Sequence, residues 1–419
     1  VTAGAPRRTR GRRPRILFAW ELGANYGHAS KIIETVVALG PLAEVAVAAR
    51  EPQAFAEIAP HLGLSIRAAP HAPPPPLPPV GPTGPVLSYP DALRFCGWND
   101  AAQLAGLIRS WQSLFAELSP DLIVAQAAPT ALLAARGGPY AVATLGSGFD
   151  APARADPMPP YPGKHTDADL RAAEDRTLAV AEAALRETGG PALGPFRALF
   201  DAGPVLLAAM IQTDHYHPRR RWEPDHPPYL GHLFTTDRGT VLRWEGDGRA
   251  RVLAYLRPGT HGFAAAARAL IARSRDSDIV LAAPGVPAAA AGTLRKAGLR
   301  VVDGPVRLDL LLPEADLMVS HGSNGVVAAS LVAGVPQVLL PTQTEQFMLT
   351  RTVAAQRLAI GLGGRAEPAT VGRAVSEACE SPELRAASRA AAATIAATGN
   401  ADPAGAVAAR LLAIAAETR

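Results

Sequence analysis

The sequence predicts an α/β chain of two Rossmann-like, doubly wound lobes facing a central cleft. Three observations carry that expectation. Short apolar runs of strand length alternate with helical stretches in both halves. A Pro- and His-rich stretch over 210–237 interrupts the rhythm once, after which it restarts. At 419 residues the chain accommodates two or three domains of about 100–200 residues each.

The elements follow in order. Residues 15–20 read as a short buried strand, then a glycine-bearing turn (21–28), a helix over 30–39 and a strand over 45–49, the β-α-β opening of a doubly wound fold. Nine prolines in the sixteen residues 70–85 allow neither helix nor central strand, so a long polyproline-like surface loop is expected. A helix near 100–118, a strand over 120–124, a helix over 129–136 and a strand over 140–145 come next. A second Pro-rich irregular stretch (151–165) precedes a helix over 167–188. Beyond the boundary, strands are expected at 252–256, 278–283, 301–302, 317–320 and 337–340, with helices at 262–274, 324–333 and 346–355 and Ala-rich helices at the end. The expected division is a disordered basic tail (1–14), an N-terminal lobe (15–235), a C-terminal lobe (236–395) and a last helix (396–419) packing back on the N-terminal lobe.

Composition excludes several function classes. With 48% hydrophobic and 19% charged residues the chain is not broadly disordered. The net charge of +4 is misleading, because residues 1–15 hold six arginines and no acid. Without them 35 basic face 37 acidic side chains, a near-neutral body that argues against a nucleic-acid-binding surface. Cys96 and Cys379 are far apart and form no CxxC or metal-like spacing, which fits a reducing, cytoplasmic setting. The apolar run 16–20 is only five residues long, so neither a signal peptide nor a membrane span is expected. His215, His217, His226 and His232 sit in the interrupting segment and read as solvated rather than metal-binding, as does the run Arg219–Arg221.

The chemistry concentrates in Leu317-Met318-Val319-Ser320-His321-Gly322-Ser323-Asn324-Gly325-Val326. A strand delivers a histidine, then small residues, then a helix start. Helix N-termini present unpaired N–H groups and the positive end of a dipole, and Gly and Ser let an anion approach. His321, Gly322, Ser323, Asn324 and Gly325 therefore suit a diphosphate, although a tight capped turn explains the same pattern. Downstream, Glu345-Gln346 place an acid and an amide side by side at a helix start, where they can bond adjacent sugar hydroxyls.

These residues carry a resemblance. Asp303–Gln346 is similar to the 44-residue donor-binding signature of nucleotide-sugar glycosyltransferases of the UDP-glycosyltransferase type, the family of plant small-molecule and bacterial macrolide or antibiotic glycosyltransferases. Pro305, His321, Gly334-Val335-Pro336 and Glu345-Gln346 fall on its landmarks without a gap. Gly27-His28, Tyr229-Leu230-Gly231, Trp244-Glu245 and Gly259-Thr260 resemble further family turns. The departures are Asp303, Val306, Ser323, Val326 and Ala329 in the signature, and Gln126 where plant members carry an acid.

The resemblance implies the two-lobed GT-B fold, with acceptor in the N-terminal lobe and donor in the C-terminal lobe. It implies inverting transfer of a sugar from a UDP- or dTDP-sugar to a small molecule, without metal or other cofactor. The sequence is silent on oligomeric state, and a monomer is the default expectation. His28 is implied as the general base. His321, Gly322, Ser323, Asn324, Gly325, Gly259, Thr260 and Arg257 would bind the donor phosphates. Glu345 and Gln346 would bind its sugar, and Pro305 and Val306 its base. Gln126 would stand behind His28, with Asp100, Asp121 and Glu21 as candidates for the missing acid. The Pro-rich apolar loops suggest a lipophilic or aromatic acceptor. Two other readings stay open, a non-catalytic partner-activating protein and a nucleotide-sugar 2-epimerase.

Overall fold

The structure, a computed structural model, describes residues 12–23, 26–73, 86–217, 228–245, 249–260, 262–363 and 365–417. The basic tail as far as residue 11, most of the loop expected over 70–85, His226 and Arg219–Arg221 lie outside these. Of the disordered tail expected over 1–14, the described residues 12–14 are ordered. Arg12 bonds both carboxylate oxygens of Asp121 at 2.8 and 2.9 Å, and the Pro14 carbonyl accepts the Glu44 N–H, so 12–14 are tied to the first sheet.

The chain divides into two compact units, Val1–Ala208 with Pro218–Leu233 and Asp402–Arg419, and Ala209–His217 with Phe234–Ala401. The first holds strands β1 (Arg15–Trp20), β2 (Glu44–Ala49), β3 (Ser65–Ala68), β4 (Leu122–Gln126), β5 (Ala141–Gly146) and β6 (Val205–Leu207). Its helices are α1 (Tyr26–Leu39), α2 (Ala59–Leu62), α3 (Tyr89–Leu93), α4 (Ala101–Leu118), α5 (Pro129–Ala135) and α6 (Asp167–Thr188). The sheet is parallel in the order β3-β2-β1-β4-β5-β6. Both faces of its central strands are covered, which is why they read as unbroken apolar runs.

Local signals explain the helices. In α4 the buried residues Leu104, Ala105, Ile108, Trp111 and Phe115 fall at helical spacing, and Asp100 caps the start by accepting the Gln103 N–H at 2.7 Å. Thr166 and Asp169 form a capping box that opens α6, and Gly189 closes it at φ 72°. Helix α1 begins at Tyr26, four residues before the expected start, so His28 lies in its first turn rather than in a loop. Strands β3 and β6, and a strand over Ala359–Gly361 in the second unit, escaped the sequence reading, because each is three or four residues long at a sheet edge.

The second unit holds β7 (Ala250–Tyr255), β8 (Ser277–Ala282), β9 (Arg300–Val302), β10 (Leu317–Ser320), β11 (Gln337–Leu339) and β12 (Ala359–Gly361), paired in parallel as β12-β11-β10-β7-β8-β9. Its helices are α7 (Phe263–Arg273), α8 (Ala288–Lys296), α9 (Leu308–Leu311), α10 (Asn324–Val332), α11 (Thr344–Ala355), α12 (Pro368–Glu380) and α13 (Pro382–Thr398). Alternation along β7 sends Val252 and Ala254 into one core layer and Leu253 into the other. The last helix, α14 (Pro403–Glu417), returns to the first unit, where Val407, Ala408, Leu411 and Ala415 share a core with Ile32 and Val36 of α1.

One segment lies elsewhere than expected. Residues 209–217, assigned from sequence to the first lobe, cluster with the second. Met210 packs with Val327 and Leu331 of α10 and Leu349 of α11, and the Gln212 carbonyl accepts the Gln356 side-chain N–H at 3.0 Å.

In each sheet the strand order reverses beside its first strand, between β1 and β4 and between β7 and β10. Ligands of open α/β sheets bind outside the carboxyl ends of the strands at such switch points. Both groups of candidate residues lie there.

Candidate functional site

At the first switch point, Trp20 ends β1 and pairs in register with Gln126, which ends β4. The His28 ring stacks on the Trp20 indole with centroids 5.5 Å apart and planes at 20°. Its Nδ1 is 3.1 Å from Gln126 Oε1 and 3.0 Å from Gln126 Nε2. Gly23, at φ 80°, comes so close to the Nε2 edge of the ring that a Cβ there would stand 2.2 Å from His28 Nε2. Thus β1, β4 and a glycine turn hold the imidazole, which is half-buried.

The three expected acids are engaged elsewhere. Asp100 caps α4 and Asp121 holds Arg12. Glu21 is fully buried against the Thr130 N–H and hydroxyl, and burial pushes its pKa up to about 7. The acid near His28 is instead Asp150, in the loop after β5, whose Oδ2 lies 3.3 Å from Gln126 Nε2. The same oxygen takes Lys31 Nζ at 3.2 Å and the Ser147 hydroxyl at 3.1 Å. Burial opposes the charge on Asp150, but Lys31 and then His28 outweigh it and lower its pKa to about 2. No sequence signal marked Asp150, a single acid in an irregular loop.

At the second switch point, Tyr255 of β7 pairs with Ser320 of β10, bringing together the two loops that follow. His321 joins them. Its Nδ1 lies 3.1 Å from the Leu340 carbonyl and its Nε2 3.0 Å from the Arg257 main-chain nitrogen. A carbonyl only accepts and an amide N–H only donates, so Nδ1 carries the proton and Nε2 the lone pair. Thr260 Oγ1 is 3.0 Å from Nε2 and donates to the Arg257 carbonyl at 2.7 Å. Burial lowers the His321 pKa, and the charge of Arg257 acts in the same direction. The expected extra phosphate donor is therefore a neutral clamp on the loop 257–260.

The donors for an anion come from the backbone around it. Gly259, at φ 78°, has open space where a Cβ would be, and Arg257 is exposed beside it. Ser323 is exposed and makes no side-chain cap to α10, so the first N–H groups of that helix are not taken by it. The buried amide atoms of Asn324 have no hydrogen-bond partner among the described residues. Gly322 (φ 77°) turns the chain, its N–H donating to Ser320 Oγ at 3.1 Å. Gly325 serves packing rather than ligand approach, because a Cβ there would meet the Phe234 ring at 2.4 Å.

The remaining expected residues divide. Glu345 is half-buried and its Oε1 lies 3.2 Å from Nε2 of the buried His215. Gln346 turns inward instead. It is buried, and its Oε1 accepts both the N–H and the hydroxyl of Thr342, at 2.9 and 3.0 Å. Pro305 is exposed, with its carbonyl bonded to the Thr240 N–H at 2.9 Å. Val306 cannot offer its side chain to a base, because it is buried in the core beside Leu308 and Met318. Asp303, at the opening of the signature, accepts the Gly285 N–H at 2.7 Å. Among the described residues no group of three His, Cys, Asp or Glu could hold a metal, and no helix is long and apolar enough to cross a membrane.

Solved structures share this architecture. The glycosyltransferase SnogD from Streptomyces nogalater superposes with a TM-score of 0.65, at 20% identity over 96% of this chain and all of the other. The glycosyltransferase VinC in complex with dTDP gives 0.63 at 17% identity, over 96% of this chain and 100% of VinC. The rhamnosyltransferase SpnG complexed with spinosyn aglycone gives 0.62 at 16%, over 94% and 99%. The chain has the GT-B glycosyltransferase fold. Residues 271–414, from within α7 of the second unit into α14 of the first, also match the family described as erythromycin biosynthesis protein CIII-like, C-terminal domain. The solved structures that share its fold are glycosyltransferases. No curated protein sequence matches it.

Proposed function

We propose that this chain is an inverting glycosyltransferase that moves a sugar from a nucleoside diphosphate to a hydroxyl of a lipophilic or aromatic small molecule. The observation that carries the reading is the second switch point. There an open glycine loop, an exposed arginine and an uncapped helix start converge beside a neutral histidine clamp, on the lobe most of which matches the erythromycin-type family. That set of donors suits a diphosphate.

In the proposed reaction His28 Nε2 takes the proton of the acceptor hydroxyl as the oxygen bonds to the anomeric carbon. The bond from that carbon to the diphosphate breaks, and the leaving oxygen takes the electron pair. Positioned N–H groups and Arg257 meet its charge, and one displacement inverts the centre. General-base help of this kind is worth roughly 10²–10⁴-fold. Glu345, steadied by His215, would bond sugar hydroxyls.

Calorimetric titration of the full chain with UDP, dTDP, GDP and ADP tests the donor site, with dTDP tried first because the VinC structure holds it. Tight binding of one diphosphate is expected. Failure of all four to bind at millimolar concentration to folded protein would overturn the reading in favour of a non-catalytic role. Release of a free epimerised sugar without acceptor would favour an epimerase.

A further inference from the structure

We propose that the second unit carries a further binding site, for a neutral sugar or polyol of monosaccharide size, in the cavity where strands β7, β8 and β9 begin. It lies at the opposite ends of those strands from the loops that face the donor. No step of the proposed transfer uses it, so the inference stands independently of that reaction.

The cavity measures about 280 Å³. Ser277 and Asp278 open β8, Arg300 opens β9 and Arg249 directly precedes β7. Ser274, just after α7, and Glu245 complete the polar lining. Burial grades across it. Ser277 is 2% and Asp278 6% exposed, whereas Glu245 and Arg249 are exposed. The deciding group is at the buried end. Ser277 Oγ has no hydrogen-bond partner among the described residues. Buried hydroxyls are ordinarily paired, because folding has stripped them of water. One water would satisfy this hydroxyl, but a water fills only about 30 Å³.

Charge and hydrogen-bond capacity select the ligand. Two carboxylates and two guanidinium groups line the cavity, so its walls carry no net charge. One guanidinium serves both acids, as Arg300 lies 3.3 Å from Asp278 Oδ2 and 3.2 Å from Glu245 Oε1. The Glu245 N–H holds Asp278 further at 2.6 Å. Among the described residues Arg249 bonds only the Arg275 carbonyl, from Nη2 at 2.8 Å. What remains for a ligand is mixed. The Ser277 hydroxyl both donates and accepts. Ser274 Oγ has given its hydrogen to the Ile271 carbonyl at 2.8 Å, so it accepts. Arg249 only donates and Glu245 only accepts.

An anion would suit Arg249 but face two carboxylates, and a cation would meet the reverse. Sugar hydroxyls donate and accept at once, so they match every group in the set. A nucleotide does not fit. The volume falls just below the range of drug-sized sites, and no aromatic side chain lines the cavity on which a base could stack.

The test is calorimetric titration of the full chain with D-glucose and L-rhamnose, and separately with inorganic phosphate. One of the sugars is expected to bind with a Kd in the millimolar range, and phosphate is not. Ser277→Val keeps a strand-forming residue and removes only the hydroxyl; it should weaken the sugar about tenfold. Arg249→Gln, at an exposed position, should do the same. Nucleoside diphosphate binding should be unchanged in both variants. Failure of both sugars to bind the wild type overturns the proposal. Sugar binding that both variants leave intact belongs elsewhere on the molecule and overturns it too. Phosphate binding that Arg249→Gln abolishes, without sugar binding, would make this an anion site and overturn it as well. If Ser277→Val does not fold, Arg249→Gln decides. A wild type that binds sugar here but no nucleoside diphosphate would defeat the proposed transfer and leave this site standing.

Discussion

His215 Nε2 lies 3.2 Å from Glu345 Oε1, although the two residues are 130 positions apart. The histidine side chain is fully buried and the carboxylate partly exposed, so the pair points a braced acid outward at the start of α11.

The pairing predicts a selective loss. His215→Ala should weaken binding of the intact nucleotide sugar about tenfold, the worth of one charge-assisted bond. Binding of the same nucleoside diphosphate without sugar should hold steady. Calorimetry with both ligands checks this, and equal losses for the two would place Glu345 away from the sugar.

His321 is held neutral by burial and clamped at both nitrogens by main-chain groups. Its removal should slacken the loop 257–260 rather than delete a cation. His321→Ala is therefore expected to reduce diphosphate affinity by about tenfold, and equally at pH 6 and pH 8. A loss confined to the acid side would show that the imidazole binds phosphate as a cation.

Gly23 leaves no room for a side chain. Its φ of 80° strains any other residue, and a Cβ would stand 2.2 Å from His28 Nε2. Gly23→Ala should push the imidazole off the Gln126 amide and lower kcat about 100-fold, as misplacement by an ångström does, without changing KM for the donor. Steady-state kinetics at saturating acceptor measures the split; an unchanged kcat would refute the placement of His28 as base.

Glu21 gives a pH signature of stability. Buried, its pKa is raised from 4.5 to about 7, so the folded protein keeps a proton that the unfolded chain releases. The resulting stabilisation is complete below pH 4.5 and is lost as pH rises through about 7. The Tm of Glu21→Gln minus that of the wild type should accordingly grow between pH 4.5 and 7 and level off above. A difference that stays flat over that range would show that Glu21 ionises in the fold as it does in water.

Much of this was legible in the residues. The apolar runs 15–20, 252–256 and 317–320 announced β1, β7 and β10, because a parallel strand buried on both faces has no polar alternation to blur it. The composition of residues 167–188 announced α6, and the structure adds the capping box of Thr166 and Asp169 that opens it. The signature from Asp303 to Gln346 pointed to one end of one sheet. What local pattern could not convey is what each side chain does there. Val306 and Gln346 both stand at signature positions expected to meet the donor, yet one faces the core and the other bonds Thr342.

The sequence by itself determined the two βα halves, the succession of most of their elements and the two strand ends after which His28 and His321 stand. These depend on hydrophobic periodicity and on turn residues, which are properties of neighbours along the chain. Only the tertiary structure decided the partners. Asp150 reaches Gln126, and His215 reaches Glu345, through contacts 24 and 130 residues apart. Such contacts are set by which strands lie side by side and where the loops after them turn. A buried charge settles on whichever partner the packing brings within about 3 Å, and no spacing in the chain records that choice.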